Sequence, residues 1–514
     1  MIALLLAACA APEGGDTAAK TAPTCDPLDV TLTQEWVEGA LPNDSSVEGT
    51  QPGVAIGDLD GDGWLDVFMA YAGGSMALRN DGSGGLLESG FTADGGALPF
   101  GEAVALADID GDGDLDAHLG RWRAEDLLLV NDGAGAFTTV TLAGSEGATF
   151  SGSFADADAD GDLDLFVAAG AVDMSFESIR DGLQVGDPNL LYLRGDDGAY
   201  ALAEGAMPED TRYGITFQGA WVDAEDDGDL DLYVANDGGP YLEPNHLLLN
   251  DGAAHFTKAT ACFCDLTMFA MGVAVGDADG TGTPDLYVTD VGGPNLLLAQ
   301  GDGTYVDATA ASGAAIPPEP TSMVSWGTSA VDIDADQDLD LVVTFGRSGS
   351  NFIGAADVNP DWVDGDEQPD VILLNGGDGH FTRATGLGFA DPERTRSMAV
   401  GDLDRDGRPD LVTAGKHFLR AWRTSGGCGP GVTVALDAGP LDRHGIGARV
   451  TTEVAGVVTH QWMLPSGTGA SNAPELYFGL GGAAAAERVT VRWVDGAETV
   501  VEGVAAGSVL TIPR

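Results

Sequence analysis

The string DLDGDGWLD, Asp58 to Asp66, sets acidic residues at its first, third, fifth and ninth positions and glycine at its sixth, and near copies return six more times. They read DIDGDGDLD from Asp108, DADADGDLD from Asp156, DAEDDGDLD from Asp223, DADGTGTPD from Asp277, DIDADQDLD from Asp332 and DLDRDGRPD from Asp402, at intervals of 50, 48, 67, 54, 55 and 70 residues. A period of that length marks a chain built from copies of one supersecondary unit. Each copy follows a short apolar segment such as VAIG, AVALA or SMAVG and runs into another such as DVFMAY, DLYVAN or DLVVTF, so strands flank it on both sides. A third apolar run with a turn comes next (LLLVNDGAGAF at 127–137, HLLLNDGAAHF at 246–256, VILLNGGDGHF at 371–381), and the aromatic residue at its end opens a fourth strand. Seven such four-stranded units predict an all-β chain folded as a seven-bladed β-propeller.

The ends of the array predict how the ring closes. After the seventh loop a third strand is present, HFLRAWR at 417–423, but no aromatic-led fourth strand follows it. Ahead of the first loop, LDVTLTQEWVEGA at 28–40 looks like the fourth strand of other units, for instance FTTVTLAGSEGA at 137–148. The N-terminal strand should therefore complete the last blade and remove the open edges. Cys25 stands just before that strand and Cys428 just after its partner, so a Cys25–Cys428 disulfide is expected to lock the closure. This gives a propeller over 28–427, a leader and tether over 1–27, and a small β domain over 428–514.

Side-chain oxygens at positions 1, 3 and 5, a backbone carbonyl at 7 and a later carboxylate suit calcium, which takes six to eight oxygen ligands. Glycine at position 6 supplies the positive φ that turns the chain around an ion. The candidate ligands are Asp58, Asp60, Asp62 and Asp66; Asp108, Asp110, Asp112 and Asp116; Asp156, Asp158, Asp160 and Asp164; Asp223, Glu225, Asp227 and Asp231; Asp277, Asp279, Thr281 and Asp285; Asp332, Asp334, Asp336 and Asp340; and Asp402, Asp404, Asp406 and Asp410. Up to seven calcium ions, one per blade, are expected. Loops 1, 2, 3 and 7 read as complete, whereas Thr281 in loop 5 and Gln337 in place of glycine in loop 6 predict weaker binding and the more open coordination.

Composition agrees with a cation-dependent fold. The 82 acidic and 22 basic residues leave a formal charge of -60, yet 44% of residues are apolar, which is acidic without being disordered. Such a field repels nucleic acid and anionic membrane surfaces. At the start, MIALLLAACA resembles the lipobox of bacterial lipoproteins with Cys9 as the lipidated residue, and the small, proline-containing stretch after it suits a tether. The expectation is an exported bacterial lipoprotein, monomeric, facing the periplasm or the cell surface and touching membrane only through its anchor.

The repeats resemble the FG-GAP or VCBS repeats of integrin α-chain propellers and of many exported bacterial proteins, over about 28–425. From Gly431 onward, RHGIGARVTTEV, PELYFGLGG and VTVRWVDGAETVVEGV look like the ASPIC/UnbV domain that follows such repeats in the cartilage acidic protein family. The resemblance implies an extracellular calcium-binding propeller with a small C-terminal β domain. The stretch PSGTGASNAP, 465–474, departs from the family, which usually has a longer glycine and serine stretch there.

Chemistry-bearing patterns are scarce. The chain has seven histidines, its lysines are Lys20, Lys258 and Lys416, and it carries no G-x-S-x-G, H-E-x-x-H or P-loop. His118 and His246 read as packing or rim residues, most tryptophans as blade core, and Trp64 and Trp362 as a possible sugar-stacking pair. Cys262-Phe263-Cys264 is compatible with a disulfide, with half of a metal site or with free thiols. The leading expectation is a non-catalytic surface module that binds protein or polysaccharide; a calcium-dependent, lyase-like polysaccharide-degrading enzyme and an envelope assembly factor are the alternatives.

Overall fold

The computed structural model describes residues 25, 29–36, 52–88, 90–171, 186–316, 324–346, 368–389, 395–415, 418–439 and 442–514. Cys9, the tether and Trp362 lie outside the described residues. Apart from short 3-10 turns such as Glu209–Thr211, the described secondary structure is β. No helix among the described residues is long and apolar enough to cross a membrane.

Seven antiparallel sheets follow the seven acidic loops. Their first strands are Gly53–Gly57, Ala103–Ala107, Gly147–Ala155, Ile215–Val222, Val273–Gly276, Ser325–Val331 and Thr395–Gly401. Each of these touches the next in order, and the last touches the first, so the sheets stand around one axis and fit a seven-bladed propeller. The seventh sheet takes its outer strand from the start of the chain: Thr31–Trp36 pairs antiparallel with Phe418–Ser425, Thr31 opposite Ser425 and Trp36 opposite Arg420. Cys25 and Cys428 are disulfide-bonded across that junction, with Cα atoms 5.0 Å apart.

The blades cohere because alternate side chains of a strand point to opposite faces. Val104 and Leu106 pack toward blade 1 with Ala55 and Phe68, while Ala105 and Ala107 pack toward blade 3 with Phe154 and Phe166. Both faces of each inner strand are therefore buried, which explains near-continuous apolar runs such as AVALA.

The C-terminal domain has a three-stranded sheet (Glu475–Phe478, Val432–Asp437, Val509–Pro513) and a four-stranded one (Val457–Trp462, Arg449–Val454, Ala485–Arg492, Glu498–Ala505). They close over Val434, Val450, Phe478, Val491 and Trp493. The departing stretch PSGTGASNAP is the join between the domains. It forms a two-residue-per-strand hairpin, Ser466–Gly467 and Ala470–Ser471, that enters the propeller axis. Ser471 pairs with Ala55 of blade 1, Val104 N–H of blade 2 donates to Gly469 O (3.3 Å), and Thr468 Oγ1 lies 3.0 Å from Gln218 Oε1 of blade 4 and 3.1 Å from Met271 O. Val400 N–H of blade 7 donates to Asn472 Oδ1 at 2.9 Å. Close approach explains the glycines facing the hairpin: a Cβ on Gly272 would stand 2.5 Å from Thr468 Oγ1 and 2.4 Å from Trp326 O.

Candidate metal centres

All seven acidic loops are tied by one hydrogen-bond scheme. The position 9 carboxylate accepts the N–H of position 2 on Oδ2, as in Leu59 to Asp66 (3.1 Å), Ile109 to Asp116 (2.9 Å), Ala157 to Asp164 (2.9 Å) and Ile333 to Asp340 (3.0 Å). Its Oδ1 accepts an N–H at the end of the third strand, from Asn80, Asn131, Arg194, Asn250, Ala299, Asn375 or Thr424 in turn. The position 1 carboxylate accepts the N–H of position 6, for example Gly63 to Asp58 at 2.9 Å and Gln337 to Asp332 at 2.9 Å. Position 6 holds positive φ in every loop, from 84° at Gly282 and Gly407 to 104° at Gly113, and Gln337 adopts 85° despite its side chain.

The folded loops gather the carboxylates that the spacing singles out. In at least five of them three acids bring ligand oxygens within 4.8 Å of one another: Asp58, Asp60 and Asp62; Asp108, Asp110 and Asp116; Asp156, Asp158 and Asp164; Asp277, Asp279 and Asp285; and Asp332, Asp334 and Asp336. Position 9 is the buried floor of each loop, while Asp62, Asp110, Asp112, Asp160, Glu225, Asp227 and Thr281 lie at the exposed lip. Thr281 Oγ1 sits 2.9 Å from Thr283 Oγ1. In blade 4, Asp223 and Asp231 are the inner pair of the loop.

The residues fit a cation on two counts. Asp158 Oδ1 and Asp277 Oδ1 are buried with no hydrogen-bond partner. Burial, with repulsion from neighbouring loop acids added, also pushes the carboxyls up, to about 6 for Asp108, Asp156 and Asp223, about 7 for Asp66, Asp116 and Asp277, and about 8 for Asp164 and Asp231. A divalent ion would relieve both the desolvation and the repulsion.

Loop 6 departs from the open coordination expected of it. Asp332, Asp334, Asp336 and Asp340 are all buried, and the C-terminal domain covers them. Gly479 N–H donates to Asp332 Oδ2 (2.9 Å), Cys428 N–H to Asp334 O (2.7 Å) and Gly481 N–H to Ala335 O (3.0 Å). Burial, then repulsion from Asp336 and Asp334, holds Asp332 well above the carboxylate range. Gln337 is part of this seam, because a Cβ on Gly481 would stand 2.3 Å from its Nε2. The glycine is replaced where the loop is used as a docking surface.

Elsewhere the C-terminal domain also lies over the loop face. Arg492 reaches Asp226 of loop 4 (2.9 Å), and Arg405 of loop 7 makes a two-oxygen pair with Glu475 (2.7 Å to each). Between loops 3 and 4 and this domain runs a cavity of about 430 Å³ lined by Asp156, Asp160, Asp442, Trp493 and Asp495 among others. Basic residues meet individual loops as well: Arg79 Nε lies 2.6 Å from Asp60 Oδ2, Arg194 3.0 Å from Asp162, Arg408 2.8 Å from Asp406 and Arg423 2.8 Å from Asp410.

A set of asparagines belongs to the same layer, and the sequence reading missed it. Asn131 Nδ2 donates to Leu115 O of its own loop and Leu59 O of the preceding blade; Asn80, Asn250 and Asn375 do the same toward Leu403, Ala157 and Ala278. The signal was the asparagine of LRNDG, LVNDG, LLNDG and LLNGG, which recurs in phase with the acids.

The remaining candidates are accounted for by packing. His118 is buried with Nε2 3.1 Å from Asp126 Oδ2 and with Gly152 of blade 3 giving it room, and His246 is buried, its pKa lowered to about 4 by desolvation. Cys262 and Cys264 are joined to each other and buried, with Phe263 between them exposed at a φ of 55°. Trp64 is half-buried beside Gly82.

Comparison with known family models agrees with the repeats and the C-terminal domain. The FG-GAP-like repeat model matches 58–119, 223–288, 278–343 and 355–413, and the ASPIC and UnbV model matches 439–514. No curated protein matches the chain. Among solved structures, an Agrocybe aegerita lectin that recognises non-reducing terminal N-acetylglucosamine aligns at 17% identity over 73% of this chain and 88% of its own, with a TM-score of 0.43. BBS1N in complex with ARL6DN aligns at 10% identity over 76% and 96%, with a TM-score of 0.45, and the Vibrio cholerae biofilm matrix protein Bap1 at 12% over 94% and 85%, with a TM-score of 0.33.

Proposed function

For a chain that carries FG-GAP-like repeats and ends in an ASPIC and UnbV domain, we propose the role of a calcium-held propeller that works as a binding module rather than as an enzyme. The observation that carries the calcium reading is loop 6, where four aspartates are buried together and three of them bring ligand oxygens within 4.8 Å of one another. Carboxylates buried side by side repel one another and are costly to desolvate, and an oxygen-only cradle of this charge suits a hard divalent cation. When bound, the ion supplies positive charge at the loop axis. The chain's part is to hold position 9 by two backbone N–H groups, to bend at position 6 and to keep solvent from the inner oxygens.

The binding surface follows from what the second domain covers. That domain lies on the loop face; among the described residues at the opposite mouth, Phe100 is 42% exposed with the Arg121 guanidinium 5.1 Å from its ring centroid, beside Trp122 and exposed Arg123. A planar apolar surface beside guanidinium groups suits a saccharide or an acidic protein segment. Export and lipid attachment through Cys9 complete the proposal, placing the module at the cell envelope.

Calorimetric calcium titration of the soluble chain, with thermal melts in calcium and in chelator, tests the first part. Several sites and a large rise in melting temperature are expected; one or two sites without stabilisation would defeat it. Retention on immobilised polysaccharides with product analysis tests the second. Binding without new chain ends is expected, and new unsaturated ends would instead establish the lyase-like alternative.

A further inference from the structure

Loop 7 carries the same four acids as its neighbours but sits among arginines, and we propose that blade 7 is closed by guanidinium groups in place of a cation, so that the ring's seam holds without metal. This rests on the calcium reading of the other loops. Arg423 Nη1 lies 2.8 Å from Asp410 Oδ2, with the two side chains 11% and 0% exposed. The same oxygen accepts the N–H of Leu403 at 3.1 Å, so both of its lone pairs are engaged. Oδ1 is taken by Thr424 N–H at 2.9 Å. At the ligand position before it, Asp406 Oδ2 is held by Arg408 Nη1 at 2.8 Å. Two of the loop's four candidate carboxylates thus already have a fixed positive partner, and one partner is nearly buried where an incoming cation would have to sit beside it.

Among the described residues, no other blade places a guanidinium on its position 9 carboxylate. In register, the place of Arg423 is held by Val130, Leu193, Leu249, Leu298 and Leu374 in blades 2 to 6. Blade 1 has Arg79 there, but that side chain is 47% exposed and reaches Asp60 at position 3, whose side chain is 4% exposed, leaving the Asp66 floor untouched. Arg423 also joins three parts of the seam: its Nη2 donates to Gly84 O of blade 1, and its Nε lies 3.4 Å from Glu35 Oε2 on the closing strand. The blade assembled from both ends of the propeller is the one whose loop is cross-linked by its own side chains.

The test is the number of calcium ions carried by the full chain, counted by native mass spectrometry. Asp158→Asn with Asp160→Asn in loop 3 should lower the count by one, and Asp404→Asn with Asp406→Asn in loop 7 should leave it unchanged. Arg423→Gln, which frees Asp410, should raise it by one. Loss of an ion from the loop 7 pair, or seven ions on the unaltered chain, would overturn the proposal. Should Arg423→Gln not fold, the loop 7 pair decides alone. If no loop takes calcium, the calcium reading fails, and the seam is judged by hydrogen exchange in chelator: faster exchange of Thr31–Trp36 in Arg423→Gln than in the unaltered chain supports the guanidinium closure, and equal exchange refutes it.

Discussion

Loops 6 and 7 share a motif and differ in what surrounds it. Loop 6, DIDADQDLD, has five aspartates and no arginine, and the C-terminal domain covers it with three backbone N–H groups, one of them on the Asp332 carboxylate. Loop 7, DLDRDGRPD, meets Arg423, Arg408 and, through Arg405, the carboxylate of Glu475. The same nine-residue spacing therefore builds a buried cluster of carboxylates in one blade and a salt-bridged turn in the next. The missing glycine marks loop 6 as the more open of the two, yet that loop is the more enclosed.

The largest effect that sharpens this contrast is chelation. Removing calcium should lower the melting temperature by about 10 °C or more, because several sites each contribute on the order of 2–3 kcal/mol at ion concentrations well above their dissociation constants. Hydrogen exchange in chelator should rise first around Asp332–Asp340 and last at the Thr31–Trp36 seam. Equal loss of protection at both places would break the comparison.

Next in size are single aspartates. In saturating calcium, Asp334→Asn should cost about 2–4 kcal/mol by denaturant unfolding, since it removes a buried ligand and leaves the rest of the cradle in place. Asp404→Asn should cost less than about 1 kcal/mol.

A third effect is in the pH dependence of the metal-free chain. Its buried loop carboxyls are raised to about 7 at Asp66, Asp116 and Asp277 and about 8 at Asp164 and Asp231, against roughly 4 unfolded. Between those values the folded chain holds more protons than the unfolded one, so its stability falls as pH rises from about 4 to about 8. Melts in chelator should show that decline, and calcium should flatten it by taking the place of the protons.

The smallest is at the asparagine clasps. Asn375→Ala strips donors from the carbonyls of Ala278 and Leu339 and should cost about 1–3 kcal/mol. Thr424→Val at the equivalent place in blade 7 loses one hydroxyl bond to Pro409 O and should cost about 1 kcal/mol.

What could be read from the chain alone follows the range of the interaction. The repeated loops, the strands around them, the strand exchange at the seam and the Cys25–Cys428 pairing are visible because each is local or recurs in phase. The occupants of the loops were harder to read. Arg423 lies 13 residues from Asp410, and Gly479 lies 147 residues from Asp332, and no spacing rule links either pair. The asparagine clasps were legible in principle, but the turn motif that carries them explained itself as a hairpin. PSGTGASNAP stood out only as a departure; that it fills an axis shows only once the blades are placed around it.

That axial hairpin imposes an order on assembly. Ser466 to Ser471 come near the end of the chain, and they bridge strands that begin as early as Gly53. During synthesis, which proceeds from the N-terminus, the first six blades emerge with a hollow centre. The inward-facing N–H groups of Val104 and Val400 find their acceptors, Gly469 O and Asn472 Oδ1, only when that hairpin arrives. The molecule is thus a ring that stays provisional until its last domain delivers the pin.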